Sequence, residues 1–103
     1  MAGAKKKVTK RTIKPGEDIA SSHAEDLKKK LLRAVKQGIK DLTIDLSGVD
    51  MIDPVGLGVL IAAQNSLEDV GGSLKMKNVS GEIRNFMKSM GLDRHFHMRA
   101  VEP

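Results

Sequence analysis

A chain of 103 residues is long enough for one domain with a real core and short for two. It has no cysteine, which excludes a disulfide framework and thiolate metal sites and fits a reducing cytoplasm. The opening MAGAKKKVTK carries charge without an apolar h-region, and no apolar run approaches the ~18 residues of a membrane span, so a soluble, cytoplasmic protein with no membrane span is expected.

The net charge of +5 hides an asymmetry. Residues 1–40 hold 12 Lys/Arg against 4 Asp/Glu, and residues 41–103 hold 6 against 9, so the halves carry +8 and −3. A basic half suits nucleic acid, an anionic membrane surface or an acidic protein patch. Trp and Tyr are absent and Phe86 and Phe96 are the only Phe, so the stacking platform of a single-strand binder is missing and no nucleic-acid partner is expected.

Residues 1–7 read as a disordered basic lead, and residues 8–103 as a single domain. VTKRTIK alternates weakly and its lysines suit an edge strand. After the KPGED turn, Ser21 or Ser22 is placed to cap a helix whose apolar face is Leu27, Leu31, Ala34 and Val35, with Lys28, Lys29, Lys30, Arg33 and Lys36 mostly opposite. Gly38 is its stop signal.

DLTIDLS alternates Leu42, Ile44 and Leu46 with Thr43 and Asp45, predicting a strand that runs into the loop GVDMID. Asp53 followed by Pro54 is a helix start: the acid is an N-cap acceptor, the proline fixes φ at N1, and the residue before a proline favours the extended backbone of an N-cap. Leu57, Leu60, Ile61 and Gln64 then follow one stripe, flanked by Val59, Ala63 and Leu67, in a helix expected to be largely buried.

Gly71-Gly72 turns the chain into SLKMKNV, a strand with a break before Val79. Ser80 is the candidate N-cap of a helix that repeats Ile83, Phe86, Met87 and Met90 and stops at Gly91. The remainder holds one short strand, about His95 to Val101. Strand and helix in alternation predict an α/β fold: a mixed, mostly parallel sheet with helices packed on it and right-handed crossovers. Binding features of such sheets lie beyond the C-terminal strand ends, where the Ser47 to Pro54 loop falls.

The run IDLSGVDMIDPVGLGVLIAAQNSLEDVGGSLKMKNVSGEIRNFMKSMGLDRHF closely resembles the STAS domain, named for sulfate transporters and anti-sigma factor antagonists. The likeness covers about residues 12–96, with GEDIASSHAEDLKKKLLRAV at the first strand-to-helix passage. The features that carry it are a strand ending Asp-Leu, a second Asp before the loop, Asp-x-x-Gly-Leu-Gly, a Gly-Gly turn and a late Gly-Leu. In the bacterial antagonists this chain resembles, the motif reads Asp-Ser-Ser-Gly or Asp-Ser-Thr-Gly, and a partner kinase phosphorylates the second hydroxyl. Here Val55 stands at that position and Pro54 at the first hydroxyl's, so both acceptors are lost while Asp53 and Gly56 remain.

The resemblance implies a non-enzymatic regulatory module of bacterial signal transduction. Its partner, an anti-sigma factor kinase or a signalling complex, would dock on Ser47, Asp50, Asp53, Pro54, Val55, Gly56, Leu57 and Gly58, with Val55 a phosphorylation-equivalent position that cannot be phosphorylated. The alternative is a STAS subunit of a membrane lipid-transport complex, where the basic helix would meet an anionic surface, or an adaptor in another assembly. Several family members add a terminal helix where this sequence stops, which would leave apolar sheet surface for a partner. The protein is expected to be a monomer.

Sharper chemistries are less well supported. Asp45, Asp50 and Asp53 are possible hard-cation ligands, but a strand end, a turn and a cap account for them. His95 and His97 would share a strand face, yet two ligands do not close a site and His23 is remote in sequence. Gly56-Leu57-Gly58 lacks the third glycine of a dinucleotide fingerprint and the Gly-Lys-Ser/Thr of a P-loop. No nucleophile triad or carboxylate pair is legible. No metal, cofactor or enzyme activity is expected.

Overall fold

The computed structural model describes residues 8–100, so the expected basic lead and Val101 lie outside the described residues. The order is β1 (Lys10–Ile13), α1 (Ser21–Lys36), β2 (Asp41–Asp45), α2 (Pro54–Asp69), β3 (Ser73–Val79), α3 (Gly81–Ser89) and β4 (His97–Ala100). The four strands lie side by side in chain order and every pairing among them is parallel. The sheet described is therefore wholly parallel, and each neighbouring pair is joined by a helix, the arrangement that parallel strands require.

Sequence alternation decides which side of the sheet the helices cover. Leu42, Ile44, Leu74 and Met76 point to one side and form a single buried cluster with Leu27 and Leu31 of α1, Leu57, Leu60 and Leu67 of α2, and Ile83 and Met87 of α3. The intervening residues face away from it. On that other face Thr12, Thr43, Lys75, His97 and Arg99 are half-exposed or exposed. An apolar sheet surface was expected, and the face away from the helices is instead polar and basic, because β2 alternates throughout and β3 as far as Lys77, which places Thr43, Asp45 and Lys75 between successive core residues.

Two helix details depart from the sequence reading. Ser21 and Ser22 do not cap α1: its N-cap is Ala20, which makes no side-chain cap bond. Met90, expected in the core stripe of α3, is 54% exposed, whereas Ile83 and Met87 are buried and Phe86 is packed at the margin. The end of α1 follows expectation, with Gly38 at φ +92 and the Ile39 N–H donating back to the Ala34 carbonyl at 3.1 Å.

Candidate functional site

The loop from Ser47 to Asp53 leaves the C-terminal end of β2 and delivers the chain to α2, and its shape follows from two aspartates that work across the fold. Asp18, between β1 and α1, accepts from the Asp50 and Met51 amides at 2.8 and 3.1 Å. Beside it the 18–20 segment pairs with the loop as a short parallel bridge, Ile19 N–H to the Met51 carbonyl at 3.0 Å and Asp53 N–H to the Ile19 carbonyl at 3.1 Å.

Asp53 then caps two helices at once. Its backbone is extended, φ −86° and ψ 171°, with Pro54 next. One carboxylate oxygen accepts from the Gly56 amide at 2.7 Å, and the other accepts from the Ser21 amide at 2.8 Å, at the start of α1. These orphan amide donors of two helix ends are thus satisfied by a single side chain, which explains why α1 needs no serine cap. The Gly56 amide, then that of Ser21, holds the Asp53 carboxyl below the usual carboxylate range.

Gly56 is required by the same contact. A Cβ there would overlap the Ile19 carbonyl and side chain, so α2 starts with its backbone against residues 18–20. Gly58 differs: nothing lies within 4 Å of the position a Cβ would take. The two glycines of Gly-Leu-Gly therefore have different origins, and only the first is explained by packing.

The N-terminal turn of α2 opens on a groove of about 420 Å³ lined by Met51, Ile52, Pro54, Ile83 and Phe86, with Asp50, Asp53 and Glu82 at its polar margin. Met51 and Val55 are 51% and 53% exposed. Val55, Gly58 and Ala62 are exposed and Val59 half-buried, which gives α2 an outward stripe of small apolar residues. A helix expected to be largely buried is thus buried on one side only, through Leu57, Leu60, Ala63, Gln64 and Leu67.

At the loop's other end Asp45, Ser47 and Asn78 tie the ends of β2 and β3 together. One Asp45 oxygen accepts from the Asn78 amide at 2.8 Å, the Ser47 N–H at 3.0 Å and the Ser47 hydroxyl at 2.7 Å. Asn78, then Ser47, lowers the Asp45 pKa from 3.8 to about 2. Asn78 adopts φ +57° where β3 shifts register against β4.

The predicted loop residues therefore divide. Asp50, Asp53 and Pro54 line the groove, and Val55 and Gly58 are exposed on the first turns of α2 without lining it. Gly56 and Leu57 are buried and shape the turn from within, because a helix of this pitch must turn part of its first two turns to the core. Ser47 is committed to the Asp45 network. Sequence reading missed Asp18 and Ser21, whose roles depend on a contact 32 or more residues away, and Glu82, Ile83 and Phe86, which α3 brings alongside. The break in SLKMKNV marked Asn78 without revealing its partner. His95 lies in the turn before β4, so the shared strand face expected for His95 and His97 does not form.

A four-stranded parallel sheet with its three crossover helices is a fold shared with solved anti-sigma factor antagonists. The family described as Mlab, STAS domain, matches residues 5–101, and the protein belongs to that family. An anti-sigma-B factor antagonist of Bacillus subtilis is 36% identical over 66 residues, which are 64% of this chain and 60% of that relative. The anti-sigma factor antagonist SpoIIAA superposes with a TM-score of 0.77 in its unphosphorylated form, at 21% identity over 90% of this chain and 81% of the other, and SpoIIAA of Bacillus is also known in a phosphorylated form. A Thermotoga maritima protein described as a candidate anti-sigma factor antagonist superposes with a TM-score of 0.83, at 21% identity over 88% of this chain and 79% of the other. The fold is thus that of these antagonists. Among the described residues no helix is long and apolar enough to cross a membrane.

Proposed function

We propose that residues 8–103 act as one non-enzymatic, cytoplasmic regulatory module that binds a protein partner through the N-terminal end of α2. The surface comprises the exposed part of the Ser47–Gly58 loop, the outward stripe Val55, Gly58 and Ala62, and the groove against α3. The observation that carries this reading is Val55 itself: a β-branched residue left 53% exposed in the first turn of a helix, next in the chain to Pro54, which lines an apolar groove. Apolar groups gathered in one exposed place mark an interaction surface where scattered ones do not.

By likeness to the Bacillus relative, the partner is an anti-sigma factor or a related signalling protein. SpoIIAA exists in phosphorylated and unphosphorylated forms, and Val55 stands where the resemblance places the acceptor hydroxyl. A phosphate at that position would add close to two negative charges at the helix entrance and three acceptor oxygens to a surface otherwise apolar. Valine has no oxygen to accept it. The module is then permanently in the unphosphorylated condition, and its engagement is set by abundance or by the partner.

The test is affinity capture from lysate with the native protein and Val55→Glu, which places a carboxylate at the same spot. Recovery of an anti-sigma factor kinase by the native protein and its loss with Val55→Glu supports the reading. Recovery of a transport ATPase by both proteins equally overturns the antagonist role and favours the transport-complex alternative.

A further inference from the structure

The sheet face turned away from the helices is a second surface, built from different residues. Lys75 and Lys77 of β3 share that side, next to His97 and Arg99 of β4, and Thr12 and Thr43 continue the row across β1 and β2. These six side chains line a groove of about 470 Å³. Lys10, two residues before Thr12, lies on the same side of β1.

Among the described residues the acids of this face are Asp41 and Asp45, at the two ends of β2. The Asp45 carboxylate is already occupied by Asn78 and Ser47. Among the described residues the one contact within 4 Å between a basic side chain and a carboxylate is His23 with Glu17, in another part of the fold. Lys75, Lys77 and Arg99 therefore have no carboxylate within that distance among the described residues; Lys77 lies cross-strand from Asp45 and helps to lower its pKa from further away, which leaves Lys75 and Arg99 with no acid opposite them. A row of cations this close together, unpaired on an otherwise polar sheet, is a mutual repulsion that an anionic ligand relieves.

We propose that this face docks an acidic segment of a protein partner in extended conformation. The sheet's own repeat sets the match: Lys75 and Lys77 are about 6.6 Å apart along β3 by strand rise, which is also the spacing of alternate side chains in an extended chain. Carboxylates at every second residue then meet Lys75 and Lys77 in turn, with Arg99 alongside and the Thr43 hydroxyl as a further donor. A lipid surface fits less well, because the exposed large apolar side chains among the described residues are Val8, Met51, Val55, Val70 and Met90, and none lies on a strand. Surface-seated proteins insert such groups below the headgroups. Single-stranded nucleic acid lacks its stacking partner, since Phe86 belongs to α3 and Phe96 is buried.

The experiment is fluorescence anisotropy with a labelled peptide of alternating Gly and Glu, at low and high salt, on the native protein, on Lys75→Glu/Arg99→Glu and on Val55→Glu. Sedimentation with phosphatidylglycerol vesicles runs in parallel, and circular dichroism checks that the variants fold. The native protein and Val55→Glu bind the peptide at low salt, and the charge-reversed variant binds at least about tenfold more weakly, as does the native protein at high salt. Equal binding by the charge-reversed variant, or vesicle sedimentation without peptide binding, or binding of neither probe, overturns the proposal. Because Val55 lies outside this face, loss of peptide binding in Val55→Glu would also overturn it, whereas the α2 surface stands or falls by capture alone.

Discussion

The N-terminal end of α2 and the open face of the sheet are both exposed, yet the chain makes them by opposite means. At α2 the exposed groups Met51, Val55 and Ala62 are apolar, and the polar groups beneath are consumed: Asp18 and Asp53 spend their carboxylates on amides of the loop and of two helices. On the sheet the exposed groups are cations and hydroxyls, and the apolar groups are consumed in the core on the other side. A surface of the first kind gains by excluding water and is nearly indifferent to salt. One of the second kind gains by charge pairing and weakens as salt rises. Each surface is vulnerable in its own way: the α2 end depends on internal geometry that one residue can destroy, and the sheet face depends only on the side chains it displays.

The largest effect should follow from Gly56→Ala. Its methyl has to displace the Ile19 backbone, so the cost should be about 3 kcal/mol in chemical denaturation, whereas Gly58→Ala, with open space around it, should gain about 0.5–1 kcal/mol from helix propensity. Equal effects of the two would remove the argument that α2 enters against residues 18–20. Next comes Asp53→Ala, which leaves amides of α1 and α2 without their acceptor together. Amide exchange should accelerate at Ser21 as well as at Gly56, and acceleration at Gly56 alone would show that the cap serves one helix.

A smaller effect separates the loop's two ends by pH. The folded Asp45 carboxyl is depressed to about 2 from 3.8, so its contribution to stability is full above the ordinary value and is lost as pH falls from there toward 2. Asp45→Asn should therefore flatten the acid limb of the stability curve in that window and leave its shape near neutrality unchanged. The smallest effect on the fold is that of Val55→Glu. The side chain is exposed in a first helical turn, where a negative charge is favoured by the dipole, so stability should change by no more than ~0.5 kcal/mol in a melt. A large change would mean that Val55 is structural and that loss of a partner in this variant says nothing about an interface.

Much of this was legible in sequence because it is local. The Asp53-Pro54 start, the Ser80 cap, which accepts from the Ile83 amide at 3.2 Å, and the alternation of β2 are all written within a few residues of where they act. The mostly parallel sheet with its crossover helices follows from the strand and helix alternation, though its order β1-β2-β3-β4 does not, and the STAS likeness comes from the motif around Gly56. What stayed hidden is non-local. Nothing near Asp18 announces that it holds residues 50 and 51, nothing near Ser21 announces a cap from Asp53, and the register break at Asn78 shows as a lapse in pattern without naming Asp45. The exposed side of α2 was misjudged because its outward residues, Val55, Gly58 and Ala62, are apolar or small and read as core by composition. The expectation of an apolar sheet surface follows from the family's terminal helix alone, and the alternation within β2 and β3 overrides it. Only pairing brings Thr12, Thr43, Lys75 and His97 into one row.

The most direct test is the amide-exchange footprint of the native protein with and without its captured partner. Slower exchange in residues 47–58 and 82–86, with the last turn of α1 unchanged, is the result expected if the α2 end is the interface. Protection confined to α1, with the Ser47–Gly58 loop exchanging as freely as before, would contradict it and leave that loop as a helix cap alone.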